Sequence, residues 1–149
     1  MFAISPELFT EIKGTSDSEI LFYLALTFGM ADDVAGGVAR MTGFVEQVGR
    51  KNGVEHPMMM TLGISDGQHL YGFRYSSEGV TRSLYYSDSI EAVRDVVPRA
   101  QRFSSDARAL VSEPLSDLRD FWIAVDESSS ITIDKGEVQV SSFAPISPS

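Results

Sequence analysis

A run of apolar residues near the start of the chain predicts a first helix. Residues 20–26 are apolar on nearly every side of a helical projection, which is typical of a helix buried on most faces. Ser16 precedes the run at the position of an N-cap, where its hydroxyl can accept a hydrogen bond from the backbone N–H of Glu19. The carboxylate of Glu19 can in turn reach back to Ser16, which completes a capping box. Residues 1–15 are predicted to be irregular or briefly strand-like.

A second helix with one apolar face is predicted to begin at Asp32 and Asp33. These carboxylates suit a helix N-terminus through capping and through the helix macrodipole. Apolar residues then recur at helical spacing, namely Val34, Val38, Met41, Val45 and Val48. Asn52 and Gly53 predict the end of this helix, because glycine readily adopts the left-handed conformation that follows a helix C-terminus.

Beyond Pro57 the pattern changes to short apolar runs separated by turn residues, which is typical of β-structure. Strands are predicted at residues 58–65, 69–75, 82–87, 107–112, 131–133 and 138–143. Residues 65–68 and 134–137 are predicted as hairpin turns because each contains Asp and Gly between the apolar runs. A short helix is predicted over 90–97. Leading helices followed by strands predict an α+β fold with mostly antiparallel sheet.

Length and charge narrow the class of protein. The 149 residues fit a single domain, predicted over 1–143, with the Ser- and Pro-rich residues 144–149 as a tail. Twelve Lys and Arg stand against 21 Asp and Glu, so nucleic-acid binding is not expected, because it requires basic surface to displace counterions. No apolar run is long enough to cross a bilayer, and the first residues lack the basic start of a secretory signal. A cytoplasmic location without membrane association is predicted.

The absence of cysteine is the strongest limit on the chemistry. It excludes disulfides, thiolate metal sites and cysteine catalysis within the 149 residues. His56 and His69 have no carboxylates at ligand spacing, and no phosphate-binding glycine loop is present, so neither a metal nor a cofactor is predicted. Residues 112–114 are interpreted as a strand end stopped by Pro114, although they could also form the edge of a site.

Several short motifs occur in a fixed order along the chain. They are GTSDSE at 14–19, FYLAL at 22–26, VEHP at 54–57, SDG at 65–67, LYGFRYSSEG at 70–79, RSLY at 82–85 and VSEPL at 111–115. In order and spacing they resemble the C-terminal part of the class II glutamine amidotransferase domain, and most of all the small stand-alone bacterial proteins of that family. The resemblance covers roughly residues 12–143 and rests on the joint order of motifs that are individually short.

This resemblance implies an αββα N-terminal-nucleophile hydrolase sandwich that hydrolyses the side-chain amide of glutamine. In the family, an N-terminal cysteine attacks the amide, its own α-amino group acts as the base, and ammonia is released. An Asn-Gly pair forms the oxyanion hole, an Arg holds the substrate carboxylate, and an acidic residue holds the substrate α-amino group. Only the acidic residue has a counterpart here, Asp17, at the start of the first predicted helix. Asp17 could equally be only a helix N-terminal charge, and both roles can coexist.

The remaining parts of the family's active site belong to a segment that would precede Met1. Asn52-Gly53 is not given the oxyanion role, because it is predicted to end a helix. Phe2 is too bulky to allow removal of Met1, so no Ser or Thr becomes N-terminal. The expectation is a family domain that lacks its first block, through a truncated chain, a late start assignment or a gene fragment.

Three hypotheses about function remain open. The first is a glutamine amidotransferase-like protein that is inactive alone because it lacks the nucleophile. The second is a non-catalytic module on the same fold that binds an amino acid such as glutamine or contacts another protein. The third is a chain that pairs with the missing N-terminal segment, or forms a homo-oligomer, through sheet edges that would otherwise be open.

Overall fold

The computed structural model describes residues 3–94, 97–115 and 121–147 of the chain. The chain forms two compact units. The helical unit comprises Met1–Met58 and Ala144–Ser149, and the sheet unit comprises Met59–Phe143. The expected single domain over 1–143 with a tail over 144–149 stays a prediction.

The helical unit contains α1 (Pro6–Phe9), α2 (Asp17–Thr27) and α3 (Val34–Lys51). The two leading helices predicted from the sequence are confirmed as α2 and α3. The short α1 lies where the sequence pattern favours irregular or strand-like structure, so that prediction is wrong for residues 6–9. Pro6 favours a helix start because its missing N–H would have no partner in the first turn.

The start of α2 is capped as the sequence predicts, but only in part. The hydroxyl of Ser16 accepts a hydrogen bond from the backbone N–H of Glu19 at 3.3 Å. The carboxylate of Glu19 does not return this bond to Ser16. Its two oxygens instead accept the backbone N–H groups of Lys13 and Gly14, at 2.9 and 2.8 Å. A carboxylate can satisfy two neighbouring donors at once, and the loop before α2 offers both.

The expectation that α2 is buried on most sides is wrong. Leu24 and Ala25 are buried, whereas Ile20 is 37% exposed and Phe22 is 46% exposed. Within the helical unit, α2 packs against α3 along one side, which leaves much of its apolar surface uncovered.

The ends of α3 follow the sequence signals. The side chain of Asp33 accepts the backbone N–H of Gly36 at 2.9 Å, as an N-cap does. Gly53 follows the helix with φ of +82°, which matches the predicted left-handed residue. Ile146 contacts the same helix, since its backbone N–H donates to the carbonyl of Ala39 at 2.9 Å.

The sheet unit contains two antiparallel sheets. In chain order, its elements are β1 (Met59–Ser65), β2 (His69–Ser76), β3 (Tyr85–Ser87), α4 (Glu91–Arg94), a 3₁₀ helix (Pro98–Arg102), β4 (Leu110–Val111), β5 (Trp122–Ala124), β6 (Ser129–Asp134) and β7 (Glu137–Ser142). The strand orders are β1-β2-β6-β7 and β4-β3-β5. Both predicted hairpins are confirmed, since β1 pairs with β2 and β6 pairs with β7. The α+β class with antiparallel sheets is therefore confirmed.

The two sheets share one apolar core within this unit. It is formed by the buried residues Leu84, Val125, Ile131 and Ile133. The sheets approach closely at Gly72, where a Cβ atom would lie 2.9 Å from the side chain of Leu110. The other face of the three-stranded sheet packs against α4 and the 3₁₀ helix through Ile90, Val93, Ala100 and Trp122. The sheet unit is thus layered as sheet, sheet and helix.

Two strands are shorter than the sequence predicts. The predicted strand 82–87 is reduced to β3, and at Arg82 the backbone carbonyl accepts a hydrogen bond from the guanidinium group of Arg74. The predicted strand 107–112 is reduced to β4. The short strand β5 is missing from the prediction altogether. Of the predicted helix 90–97, residues 95 and 96 lie outside the described residues.

Candidate functional site

Asp17, the substrate-binding residue suggested by the sequence, is the first residue of α2. Its side chain is exposed, and its Oδ1 accepts the backbone N–H of Ser18 at 2.7 Å and the Ser18 hydroxyl at 3.4 Å. Among the residues that the structure describes, Oδ2 of Asp17 accepts no hydrogen bond. One carboxylate oxygen is therefore fixed by the helix start, and the other is open to an ammonium group.

The position of Asp17 in α2 determines the helix face on which its carboxylate lies. Asp17, Leu21 and Leu24 lie on one helical face, because they are separated by four and three residues. Leu24 is buried, so the C-terminal part of this face is covered. Side chains in a helix lean toward the N-terminus, so the carboxylate lies at the open end of that face.

The loop before Asp17 is tied to α2 by two side chains. Glu19 holds the backbone of Lys13 and Gly14, and the Tyr23 hydroxyl donates to the carbonyl of Glu11 at 3.1 Å. Glu19 and Tyr23 are four residues apart and so share one face of the helix. The sequence pattern did not predict that this loop is tied to α2. The signals that could have indicated it are the i,i+4 spacing of Glu19 and Tyr23 and the flexible Gly14. Glu19 and Tyr23 therefore fasten the loop that precedes Asp17 to α2.

Asn52 is engaged in helix capping. Its side-chain amide donates to the carbonyl of Val48 at 2.8 Å, and Gly53 continues the chain out of the helix. The prediction that Asn52-Gly53 ends a helix is confirmed.

A second polar cluster lies in the β1–β2 hairpin, around Asp66 and His69. Oδ2 of Asp66 lies 2.8 Å from Nδ1 of His69, and the Tyr71 hydroxyl donates to the same oxygen at 3.2 Å. Oδ1 of Asp66 accepts the backbone N–H groups of His69 and Gln68, at 2.6 and 2.8 Å. The backbone bond from His69, followed by its ring and the Gln68 N–H, holds the pKa of Asp66 far below its usual range.

The ionised Asp66 determines which nitrogen of His69 carries a proton. A carboxylate can only accept, so Nδ1 is the protonated nitrogen and Nε2 is left for other partners. Nε2 lies 4.0 Å from Oδ2 of Asp134. The hydroxyl of Ser65 donates to the backbone carbonyl of His69 at 3.2 Å, which turns it away from a nucleophilic role with the ring. Burial, followed by the hydrogen bond to Asp66, raises the pKa of Tyr71.

The other sequence candidates have structural roles. The strand end expected at residues 112–114 is confirmed, since β4 ends at Val111 and the carbonyl of Ser112 accepts the hydroxyl of Ser83 at 2.8 Å. His56 lies 3.9 Å from Glu55 on the surface of the helical unit. Over residues 3–94, 97–115 and 121–147, no three His, Asp or Glu side chains are close enough to hold a metal ion. In the same residues, no helix has the length and apolar character needed to cross a bilayer.

Comparison with known proteins shows a similarity to a solved structure. No protein-family model matches the chain, and no curated protein matches it. Among solved structures, the chain is similar to a glutamine aminotransferase class-II domain protein from Silicibacter pomeroyi, with a TM-score of 0.80 and 34% sequence identity. The similarity covers 97% of this chain and 59% of that one, so the chain spans little more than half of that protein's length. The relation suggested by the short sequence motifs is confirmed.

Proposed function

Because this chain is related to the class II glutamine amidotransferases, we propose that it forms part of a domain that hydrolyses the side-chain amide of glutamine and releases ammonia. The observation that carries the proposal is the structural similarity over 97% of the chain, at 34% identity, to a protein named for a class II glutamine aminotransferase domain. The position of Asp17 is compatible with it, because its carboxylate is exposed at a helix start.

In this proposal Asp17 receives the α-ammonium group of glutamine. Its free Oδ2 would accept a charge-assisted hydrogen bond, which is stronger than a bond between neutral groups. Ser18 would hold the carboxylate in place through Oδ1, so that little side-chain freedom is lost on binding. Asp17 positions the substrate and takes no part in breaking the amide bond.

The reacting groups would come from outside these 149 residues. The chain contains no cysteine, so the nucleophile must be supplied by another segment or another chain. The same segment would bring the base, the oxyanion-hole donors and the carboxylate-binding Arg that the family uses. We therefore propose that the 149 residues alone release no ammonia, and that they pair with this segment or self-associate.

We further propose that the sheet unit belongs to an αββα N-terminal-nucleophile hydrolase sandwich, to which it contributes two sheets and one helical layer. The outer strands β1 and β7 each lack a partner on one side within the described residues. Such edges are natural places for strands of another segment to add. A cytoplasmic location also stays a prediction.

Two measurements on the purified 149-residue chain test the proposal. Ammonia production from glutamine should be absent, and glutamine binding measured by calorimetry should be saturable and lost in Asp17→Asn. Asp32→Asn is a matched control, since it removes an exposed carboxylate from the same unit without touching α2. Ammonia release by the pure chain would overturn the claim of inactivity, and unchanged glutamine binding by Asp17→Asn would overturn the assigned site.

The coding sequence upstream of the Met1 codon tests the pairing with a further segment. A Met-Cys start followed in frame by an Asn-Gly segment would support a larger active enzyme. An in-frame stop close to Met1 would favour the second candidate, a non-catalytic amino-acid-binding or protein-interaction module. That candidate is favoured by one observation, the exposed apolar side chains of Phe9 and Phe22 in the helical unit.

A further inference from the structure

A cleft of about 290 Å³ lies within the sheet unit, among three segments that are distant in sequence. They are the β1–β2 hairpin, the β6–β7 turn and the loop that precedes β4. Its polar lining includes Gln68, His69, Ser104, Asp106, Arg108 and Lys135. The proposed glutaminase function uses none of these side chains.

Gly136 allows the β6–β7 turn to lie close to the loop before β4. The β6–β7 turn has two central residues with positive φ, Lys135 at +46° and Gly136 at +85°, which is the geometry of a tight hairpin. A Cβ atom at Gly136 would lie 2.5 Å from the carbonyl oxygen of Asp106. Only glycine allows the turn to lie this close to the loop before β4, so the cleft has a defined shape on this side.

Two of the residues that line the cleft, Arg108 and Lys135, carry a positive charge. Neither Arg108 nor Lys135 forms a salt bridge within the described residues, and the hydrogen bond of Arg108 is to the carbonyl of its neighbour Ala107, at 3.1 Å. A guanidinium group has five N–H donors in a planar fork that fits a carboxylate or a phosphate. Most of the donors of Arg108 thus remain available to a bound anion.

Two acidic residues at the cleft, Asp66 and Asp106, are already engaged. A hydrogen bond from Ser104 is the main cause of the lowered pKa of Asp106, and the charge of Arg108 adds a smaller effect. Asp66 is occupied by the ring and backbone of His69. Arg108 and Lys135 keep unused hydrogen-bonding capacity. The carboxylate of Asp134 lies 4.0 Å from Nε2 of His69.

We propose that this cleft binds a small ligand through a carboxylate or phosphate group held by Arg108 and Lys135, with His69 at its edge. Phosphate and carboxylate are both compact oxyanions, and both fit the planar guanidinium group of an arginine. The experiment therefore has to distinguish between them.

The two histidines of the chain provide the measurement, since their ring protons give separate NMR signals and His56→Gln assigns them. Inorganic phosphate and acetate are titrated separately at constant pH and ionic strength, with chloride as the balancing anion. The His69 signal should move saturably with at least one of them, and the His56 signal should stay in place. Response to phosphate alone, acetate alone or both supports the site and identifies its preference.

Variants distinguish anion binding in the cleft from a general effect of surface charge. Arg108→Gln and Lys135→Gln should each weaken binding by about tenfold, the loss expected for one charge-assisted contact. Arg99→Gln removes an exposed charge from the 3₁₀ helix of the same unit, outside the cleft lining, and should leave binding unchanged. The proposal is overturned if neither anion moves the His69 signal saturably, or if Arg108→Gln binds as the native chain does while remaining folded by circular dichroism.

Discussion

Nδ1 of His69 lies 2.8 Å from Oδ2 of Asp66, so the first residue of β2 is fastened to the turn that precedes it. The same carboxylate also accepts two backbone N–H groups of that turn. One side chain therefore fixes both the path of the hairpin and the protonated nitrogen of the imidazole. This arrangement involves residues of one hairpin only, and it depends on the negative charge of Asp66.

The charge of Asp66 predicts how the stability of the hairpin responds to pH. Because the folded state holds the pKa of Asp66 below its ordinary value of 3.8, the carboxylate stabilises the fold above that pH, and this contribution is lost as pH falls through the folded pKa. Asp66→Asn should therefore lower the unfolding midpoint in urea at neutral pH, and its difference from the native chain should shrink in acid below 3.8. Asp134→Asn, whose carboxylate lies 4.0 Å from Nε2, should have a smaller effect. If the difference in unfolding midpoint between Asp66→Asn and the native chain grows in acid, this account is contradicted.

The local sequence signals predict much of the helical unit and the hairpins. Ser16, Asp33 and Gly53 mark helix ends because caps depend on residues within one turn. The limits of β3 were not predictable, because Arg74 binds the carbonyl of Val125, 51 residues away, as well as the loop before β3. The motif around Asp17 is local, so the sequence indicates this residue directly. The sequence does not predict the cleft, since the cleft joins three segments whose proximity only the folded sheet creates.

Arg74 is predicted to hold the loop before β3 in its observed path. Its guanidinium group donates to the carbonyls of Thr81, Arg82 and Val125, at 3.4, 3.1 and 2.6 Å. Arg74→Lys keeps the charge but cannot make three bonds in a planar arrangement, so we expect a loss of about 2 kcal/mol in the free energy of unfolding. Urea denaturation measures this loss. Arg82→Lys changes an exposed side chain beside it and should be neutral, and an equal loss in both variants would refute the role of Arg74.

Gly136 and Gly67 form a matched pair for testing the wall of the cleft. Both have positive φ, at +85° and +89°, so Ala at either position bears the same left-handed strain of about 1 kcal/mol. A Cβ atom at Gly67 meets nothing within 4 Å, whereas one at Gly136 meets the carbonyl of Asp106 at 2.5 Å. Gly136→Ala should therefore lower the thermal unfolding midpoint clearly more than Gly67→Ala. Equal shifts would mean that the turn and the loop before β4 are not in close contact.

Glu19 is predicted to order the loop beside Asp17. Its carboxylate accepts the backbone N–H groups of Lys13 and Gly14, and Glu19→Gln leaves a side chain with only one acceptor oxygen. The two amides should then exchange with solvent faster, by about tenfold for one lost charge-assisted bond. Hydrogen-exchange NMR measures both amides separately. Glu7→Gln is the control, because Glu7 is exposed on α1 and its side chain forms no hydrogen bond within the described residues. If the Lys13 and Gly14 amides exchange at the native rate in Glu19→Gln, the loop before α2 is held by contacts other than those of Glu19.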